Sequence, residues 1–331
     1  MKKHIHHIHI LILSGLIFTG LILIFINKSI EDQLIHSPIT FGVSFSPRYA
    51  KDLGVDPKQV YLSILNDLKV KHIRIPAYWD GIEIEKDKFY FDNLDWYINE
   101  ASKNKAKLIL AIGYKLPRWP ECRAPEWLDP TDLRERQLIM LKAVLDHYNQ
   151  NQTISAFQLE NEPLFDFGIC PPIDRNFFKK EVEFVKSRTK KPIIITDSGE
   201  LRPWRTPMMY SDIFGTTLYR VVDNPWIGPF QYPLRPWFYR VKSDLIRTIF
   251  AYSNQKTIIS ELQAEPWTRE PLTEIPIDEQ ASRFTLSQFK KSVLFAKLTN
   301  FNEAYLWGAE WWYYLKSHGH PEYLEYAKTL F

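Results

Sequence analysis

Short apolar runs alternate with longer stretches of helical periodicity along nearly the whole chain. Runs at about 41–45, 72–76, 107–113, 154–160, 192–197, 213–219, 257–261 and 303–308 read as strands. The run at 107–113 is continuously apolar, as expected of a strand buried on both faces. Between the runs, the period changes to that of amphipathic helices at about 57–69, 92–103, 131–150, 174–188, 207–211, 236–253, 278–299 and 320–330. Asp56 followed by Pro57, and Asp92, Asp174 and Asp278, stand where helix caps are wanted. Eight strand–helix units without a second domain predict a closed parallel (β/α)8 TIM barrel, an α/β fold, over residues 40–331. A doubly wound open sheet is the alternative, but the first strand is not followed by the Gly-rich turn of a nucleotide site, and the chain has only 12 Gly.

The amino-terminal region has a different pattern. Ile10 to Ile26 carries no charge, and Lys2 and Lys3 precede it. Seventeen residues at ~1.5 Å each reach the short end of what spans a bilayer. Residues 1–30 are therefore expected to form a transmembrane signal-anchor, contacting the membrane through 10–26, with a polar linker at 31–39. This places the barrel outside the cytoplasm. A cleaved signal peptide and a secreted barrel are the rival reading, but no small-x-small site ends the run. His4, His6, His7 and His9 lie in this leader without a scaffold that would make them metal ligands.

Composition narrows the function. The 331 residues carry 42 Lys and Arg against 39 Asp and Glu, a net charge of +3 that provides no nucleic-acid footprint. Aromatics make up 15%, with 11 Trp, which suits either a Trp-rich core or stacking against sugar C–H faces. Cys122 and Cys170 fall in the loops after strands three and four. An exported chain with two cysteines in neighbouring loops predicts a disulfide between them, and neither has a His partner that would make it a reactive thiol.

In a barrel of this kind, the chemistry sits at the carboxyl ends of the strands. Those ends are rich in carboxylates and aromatics and poor in His and Cys, so neither a metal nor another cofactor is expected. Strand four ends in Glu160-Asn161-Glu162-Pro163, and strand seven ends in Glu261. Cleavage of a glycosidic bond needs a proton donor and an ionised carboxylate on opposite sides of that bond, and strands four and seven face each other across a barrel mouth. On spacing alone, Glu162 and Glu261 could equally be ion-pair partners of Arg74 or Arg220.

The motifs favour chemistry. Gln158-Leu-Glu-Asn-Glu-Pro163, Ile259-Ser-Glu261, Ile73-Arg-Ile-Pro76 and Leu306-Trp-Gly308 resemble, in order and at the matching strand ends, the clan A (cellulase-like) retaining glycoside hydrolases. That resemblance implies Glu162 as acid/base and Glu261 as nucleophile, with carboxyl groups roughly 5–5.5 Å apart. It implies Asn161 on the sugar 2-hydroxyl, Arg74 keeping Glu261 charged, Tyr219 hydrogen-bonded to Glu261, and Trp307 as floor of the central sugar site. Thr217 stands where many cellulase-like members carry His, which counts against the commonest cellulase family. Trp79, Lys115, Trp119, Glu200, Gln263, Glu265 and Glu310 also follow strand ends and are candidate sugar contacts or braces for their neighbours. Trp311 and Trp312 are consecutive, so both need not face one cleft, and Glu160 reads as a buried structural carboxylate. The expected partner is an oligo- or polysaccharide. A tethered, non-catalytic glycan-binding barrel and a transglycosylase are the alternatives. The sequence leaves the sugar, endo or exo attack and the oligomeric state open, with the segment 221–236 expected to shape the cleft.

Overall fold

The computed structural model describes Lys28 and residues 30–224, 226–252 and 255–331. Eight parallel strands close into a barrel: β1 (Thr40–Ser44), β2 (His72–Pro76), β3 (Lys107–Ile112), β4 (Ile154–Leu159), β5 (Ile193–Asp197), β6 (Ile213–Leu218), β9 (Lys256–Gln263) and β10 (Glu303–Trp307). β1 pairs with both β2 and β10, which completes the ring and leaves no exposed strand edge. The seventh and eighth barrel strands are β9 and β10 because a separate antiparallel hairpin, β7 (Val221–Asn224) and β8 (Gly228–Gln231), interrupts the sequence. Within the barrel, Ile109, Ala156, Ile194, Ile258 and Tyr305 form an apolar plug. A larger cluster fills the space between strands and helices. The site therefore rests on a packed floor.

Among the described residues, side chains cap four of the α-helices, at Ser46, Asp56, Asp174 and Thr285, whereas Asp92 and Asp278, expected as caps, lie inside the first turns of their helices and cap neither. Asp56 and Asp174 accept hydrogen bonds from the amides of Gln59 (2.8 Å) and Phe177 (2.9 Å). The helix expected at 278–299 is instead two, Ile277–Arg283 and Leu286–Leu298. Thr285 and Gln288 form a capping box there, restarting the helix after Phe284. Trp79, Trp204, Trp311 and Trp312 are core residues, while Trp119, Trp267 and Trp307 line the mouth.

The anchor at 1–30 falls almost entirely outside the described residues, as does the whole run 10–26. Among the described residues, no helix is long and apolar enough to cross a membrane. Part of the expected linker is helical, over 30–35, and Leu34 is buried.

Candidate active site

The mouth at the carboxyl ends of the strands holds a cleft of about 910 Å³, lined by Glu162 and Glu261 among others. Each carboxylate is aimed into it by irregular backbone. Glu162 lies one turn beyond β4 with φ of 46°, a left-handed conformation that is costly for a side chain and common at functional sites. Its amide is held by Thr196 Oγ1 at 2.9 Å. Glu261 lies inside β9, where the register against β6 jumps from Thr216↔Ile259 to Thr217↔Glu261, so Ser260 is an extra residue. A bulge of this kind re-aims the side chain that follows it.

The two carboxyl groups have different surroundings. Glu261 Oε1 accepts from Arg74 Nη1 at 2.9 Å, and its Oε2 accepts from Tyr219 Oη at 3.0 Å. Arg74 is 1% exposed and also donates to Gln158 (2.6 Å), Ser44 (3.2 Å) and Asn161 Oδ1 (2.8 Å), so its fork is fixed. Among the described residues, no cation is paired with the Glu162 carboxyl. Burial, then the charge of Glu261, raise its pKa well above the usual carboxylate value, although the more distant Lys115 pulls it down. Its Oε1 accepts a hydrogen bond from Thr217 Oγ1 at 3.1 Å, and Thr217 Oγ1 in turn accepts from the Gly199 amide at 3.2 Å.

Asn161 connects the two halves of the site. Its oxygen takes the bond from Arg74, and its Nδ2 donates to Glu121 Oε1 at 2.9 Å. Glu121 was not apparent in the sequence. It lies in the loop after β3, next to Cys122, and burial raises its pKa to about 7 against the opposing pull of Lys115 at 3.2 Å. Lys115, Trp119 and the adjacent cysteine pointed to that loop, but nothing pointed to Glu121 itself. Cys122 and Cys170 are bonded, with Cα atoms 5.2 Å apart, and clamp the loops after β3 and β4 together.

The other sequence candidates divide by position. Trp119, 61% exposed, lines the cleft, as do Glu200, Tyr219, Glu265 and Trp307. Burial raises Glu200 to about 7, and its carboxylate accepts from the Tyr219 amide (3.1 Å) and Tyr239 Oη (2.8 Å). Arg74 and Asn161 sit directly behind the two carboxylates. Four candidates are braces rather than parts of the cleft lining. Trp79 is fully buried and donates to Glu83 at 2.7 Å. Lys115 donates to the carbonyls of Glu162 (3.1 Å) and Phe165 (2.7 Å) and thus holds the Glu162 loop. Gln263 is fully buried, its side-chain oxygen accepting from the amides of Arg220 (2.9 Å) and Val221 (3.0 Å). Glu310 is buried against the Ser46 amide and Arg118. Glu160 is structural as expected, accepting from the amides of Tyr114 (2.7 Å) and Lys115 (2.6 Å). Gly113 permits that arrangement, because a Cβ there would lie 2.2 Å from Glu160 Oε1. Trp311 and Trp312 turn away, donating to Gln280 (2.8 Å) and the Ala264 carbonyl (2.9 Å).

No protein-family model matches the chain, and no curated protein matches its sequence. Solved structures do match. A β-galactosidase from Bacillus circulans sp. alkalophilus aligns over 81% of this chain and 50% of its own, at 12% identity and a TM-score of 0.54. Xylanase 10B from Thermotoga petrophila RKU-1 aligns over 84% of each chain, at 14% identity and a TM-score of 0.53. A family 10 endo-β-1,4-xylanase from Gloeophyllum trabeum aligns over 82% of this chain and 84% of its own, at 16% identity and a TM-score of 0.53. The chain spans about half the length of the β-galactosidases it matches. It has the (β/α)8 barrel fold of these β-galactosidases and xylanases.

Proposed function

We propose that this barrel is a retaining glycoside hydrolase acting on a β-linked oligo- or polysaccharide, with Glu162 as acid/base and Glu261 as nucleophile. The observation that carries the reading is the asymmetry of two buried carboxyls in one cleft. Glu261 is gripped through both oxygens by Arg74 and Tyr219, whereas Glu162 is held toward its protonated form by burial and by the charge of Glu261. Environments that push paired carboxyls apart in this way assign the acid and the nucleophile. The β-galactosidase and xylanases that share the fold support the same class.

In the first step, Glu261 Oε attacks the anomeric carbon, and the proton of Glu162 passes to the departing glycosidic oxygen. A covalent glycosyl-enzyme ester forms and the aglycone alcohol leaves. In the second step, Glu162, now ionised, takes a proton from water as that water displaces Glu261, and the sugar is released with its original configuration. Asn161 keeps one N–H free after its bond to Glu121, and that hydrogen serves the 2-hydroxyl of the bound sugar. The chain is read as a barrel at 40–331, a linker at 31–39 and an anchor at 1–30 that tethers the barrel to a membrane, outside the cytoplasm, through the apolar run 10–26.

The test is turnover by the wild type, Glu162→Gln and Glu261→Gln across aryl β-glycosides and β-linked polysaccharides. Loss of turnover by orders of magnitude in both variants is expected, and the responding substrates name the sugar. Glycan binding by the wild type with no turnover above the variants would replace the enzyme with a tethered glycan-binding barrel. Transfer of the sugar to an added alcohol or saccharide in preference to water would make it a transglycosylase.

A further inference from the structure

The loop after β3 crosses the barrel mouth instead of standing at its rim. It forms a tight hairpin, with Leu116 N bonded to Glu121 O at 3.1 Å, and Arg118 lies at its tip. In the ring order, β3 is opposite β9. Arg118 nevertheless pairs with Glu265, just after β9, and with Glu310 (3.1 Å), just after β10. Its guanidinium fills the gap between the rings of Tyr49 (3.6 Å) and Trp307 (3.9 Å). Arg118 is thus the keystone of a bar that runs from one wall of the mouth to the other. The bar is rigidly founded. Tyr78 Oη donates to the Pro117 carbonyl at 2.8 Å, and the disulfide fixes the base of the hairpin at Cys122. A second crossing lies beside it, where Phe167, after β4, meets Trp267, after β9, with ring centroids 6.4 Å apart.

A line from Glu162 on the β4 side to Glu261 on the β9 side divides the mouth. One half lies over β5 and β6, the other over β10, β1, β2 and β3. The bar cuts the second half only. That half also contains Arg74, the Asn161–Glu121 pair and Trp307, which on the hydrolase reading above stand around the sugar whose anomeric carbon reacts. The half over β5 and β6 is lined by Tyr219 and Tyr232, and the Phe167–Trp267 contact, which joins the two ends of the dividing line, lies at its border.

We propose that the Arg118 bar makes the glycone side of the site a blind pocket for one terminal sugar, so the enzyme removes single residues from the non-reducing end of a β-linked chain. The leaving part of the chain then exits over β5 and β6. This inference rests on the hydrolase reading above and adds where on the chain that reaction occurs.

The experiment uses the full chain and three probes: β-1,4-linked hexasaccharides of xylose, galactose and glucose, each labelled at its reducing end. Products are sized as a function of time, beside Glu261→Gln. The wild type is expected to convert the hexasaccharide it accepts into labelled five-, four- and three-residue products in that order. The variant Arg118→Met with Glu265→Gln and Glu310→Gln removes the bar without leaving unpaired charge. It is expected to give two- and three-residue labelled products from the earliest times. Phe167→Ala with Trp267→Ala is a second variant that leaves the ion cluster intact, and it should retain the wild-type order. Early internal cleavage by the wild type, abolished in Glu261→Gln, would overturn the pocket while leaving the hydrolase standing. Hydrolysis of none of the three probes, nor of the corresponding aryl monoglycosides, would overturn both.

Discussion

Thr217 offers the sharpest single perturbation. Its hydroxyl donates to Glu162 Oε1 and accepts from the Gly199 amide, and the residue is almost completely buried. A hydrogen bond donated to a carboxyl favours the ionised form, so it partly offsets the burial and the Glu261 charge that push Glu162 upward. Hydrogen bonds to charged groups contribute about 1.5–3 kcal/mol. At 1.36 kcal/mol per pKa unit, Thr217→Val should raise the Glu162 pKa further, by about one to two units. The group must be protonated for the first step, so the alkaline limb of kcat/KM should move to higher pH by that amount. Valine keeps the shape of the side chain, but the Gly199 amide loses its acceptor, which costs about 1–3 kcal/mol of stability. Thr217→Ser should restore both the limb and the melting temperature. The assay is a pH series of kcat/KM for the three proteins on one aryl glycoside. A limb that stays in place in Thr217→Val, or moves downward, would show that Thr217 does not act on the acid.

Three further outcomes follow from the same contacts. Arg74→Lys retains a charge but cannot span Glu261, Asn161, Gln158 and Ser44 at once, so it should lower kcat/KM by at least about 100-fold; Arg74→Met should also destabilise the fold by roughly 3–5 kcal/mol, measured by urea denaturation. Replacing Cys122 and Cys170 by Ser removes a link between residues separated by 48 positions, a loop-entropy effect of about 4 kcal/mol that should appear as a lower Tm matched by reductant treatment of the wild type. Glu121 and Glu200 are each raised to about 7 by burial, so the folded state binds their protons more tightly than the unfolded chain does; stability should be greatest in mild acid and fall as pH rises toward and through about 7, which a series of thermal melts will show.

Residues whose placement follows from strand periodicity were legible in the sequence. The eight barrel strands, Glu162 and Glu261 at the mouth, and the Cys122–Cys170 bond depend on which strand a residue ends and which strands are neighbours, whereas Arg74 and Tyr219 on Glu261 were expected only from the motif resemblance. Contacts that depend on where a loop turns were not legible. Arg118 gave no sign of reaching across to Glu265 and Glu310, because the 115–122 hairpin that carries it over the mouth has no periodic signal. Glu121, in the same hairpin, has no periodic signal either. Gln263 and Glu310 follow strand ends like true lining residues, yet their side chains turn back to satisfy the part-buried amides of Arg220 and Val221 and the buried amide of Ser46. A residue beyond a strand end can face the cleft or the loop that encloses it, and unsatisfied backbone groups decide which. The hairpin at Val221–Asn224 and Gly228–Gln231 lies within the segment expected to shape the cleft, and Val222, Asp223 and Asn224 do line it.

The roles of the two carboxyls can be read directly from azide rescue. Glu162→Ala and Glu261→Ala are each given an activated aryl β-glycoside with and without sodium azide, and the anomer of any glycosyl azide is determined by NMR. If Glu261 is the nucleophile, azide in Glu162→Ala attacks the covalent intermediate and gives the β-azide. In Glu261→Ala it attacks the substrate itself and gives the α-azide. The same anomer from both variants, the two anomers exchanged, or near-wild-type turnover by either variant without azide would contradict the assignment.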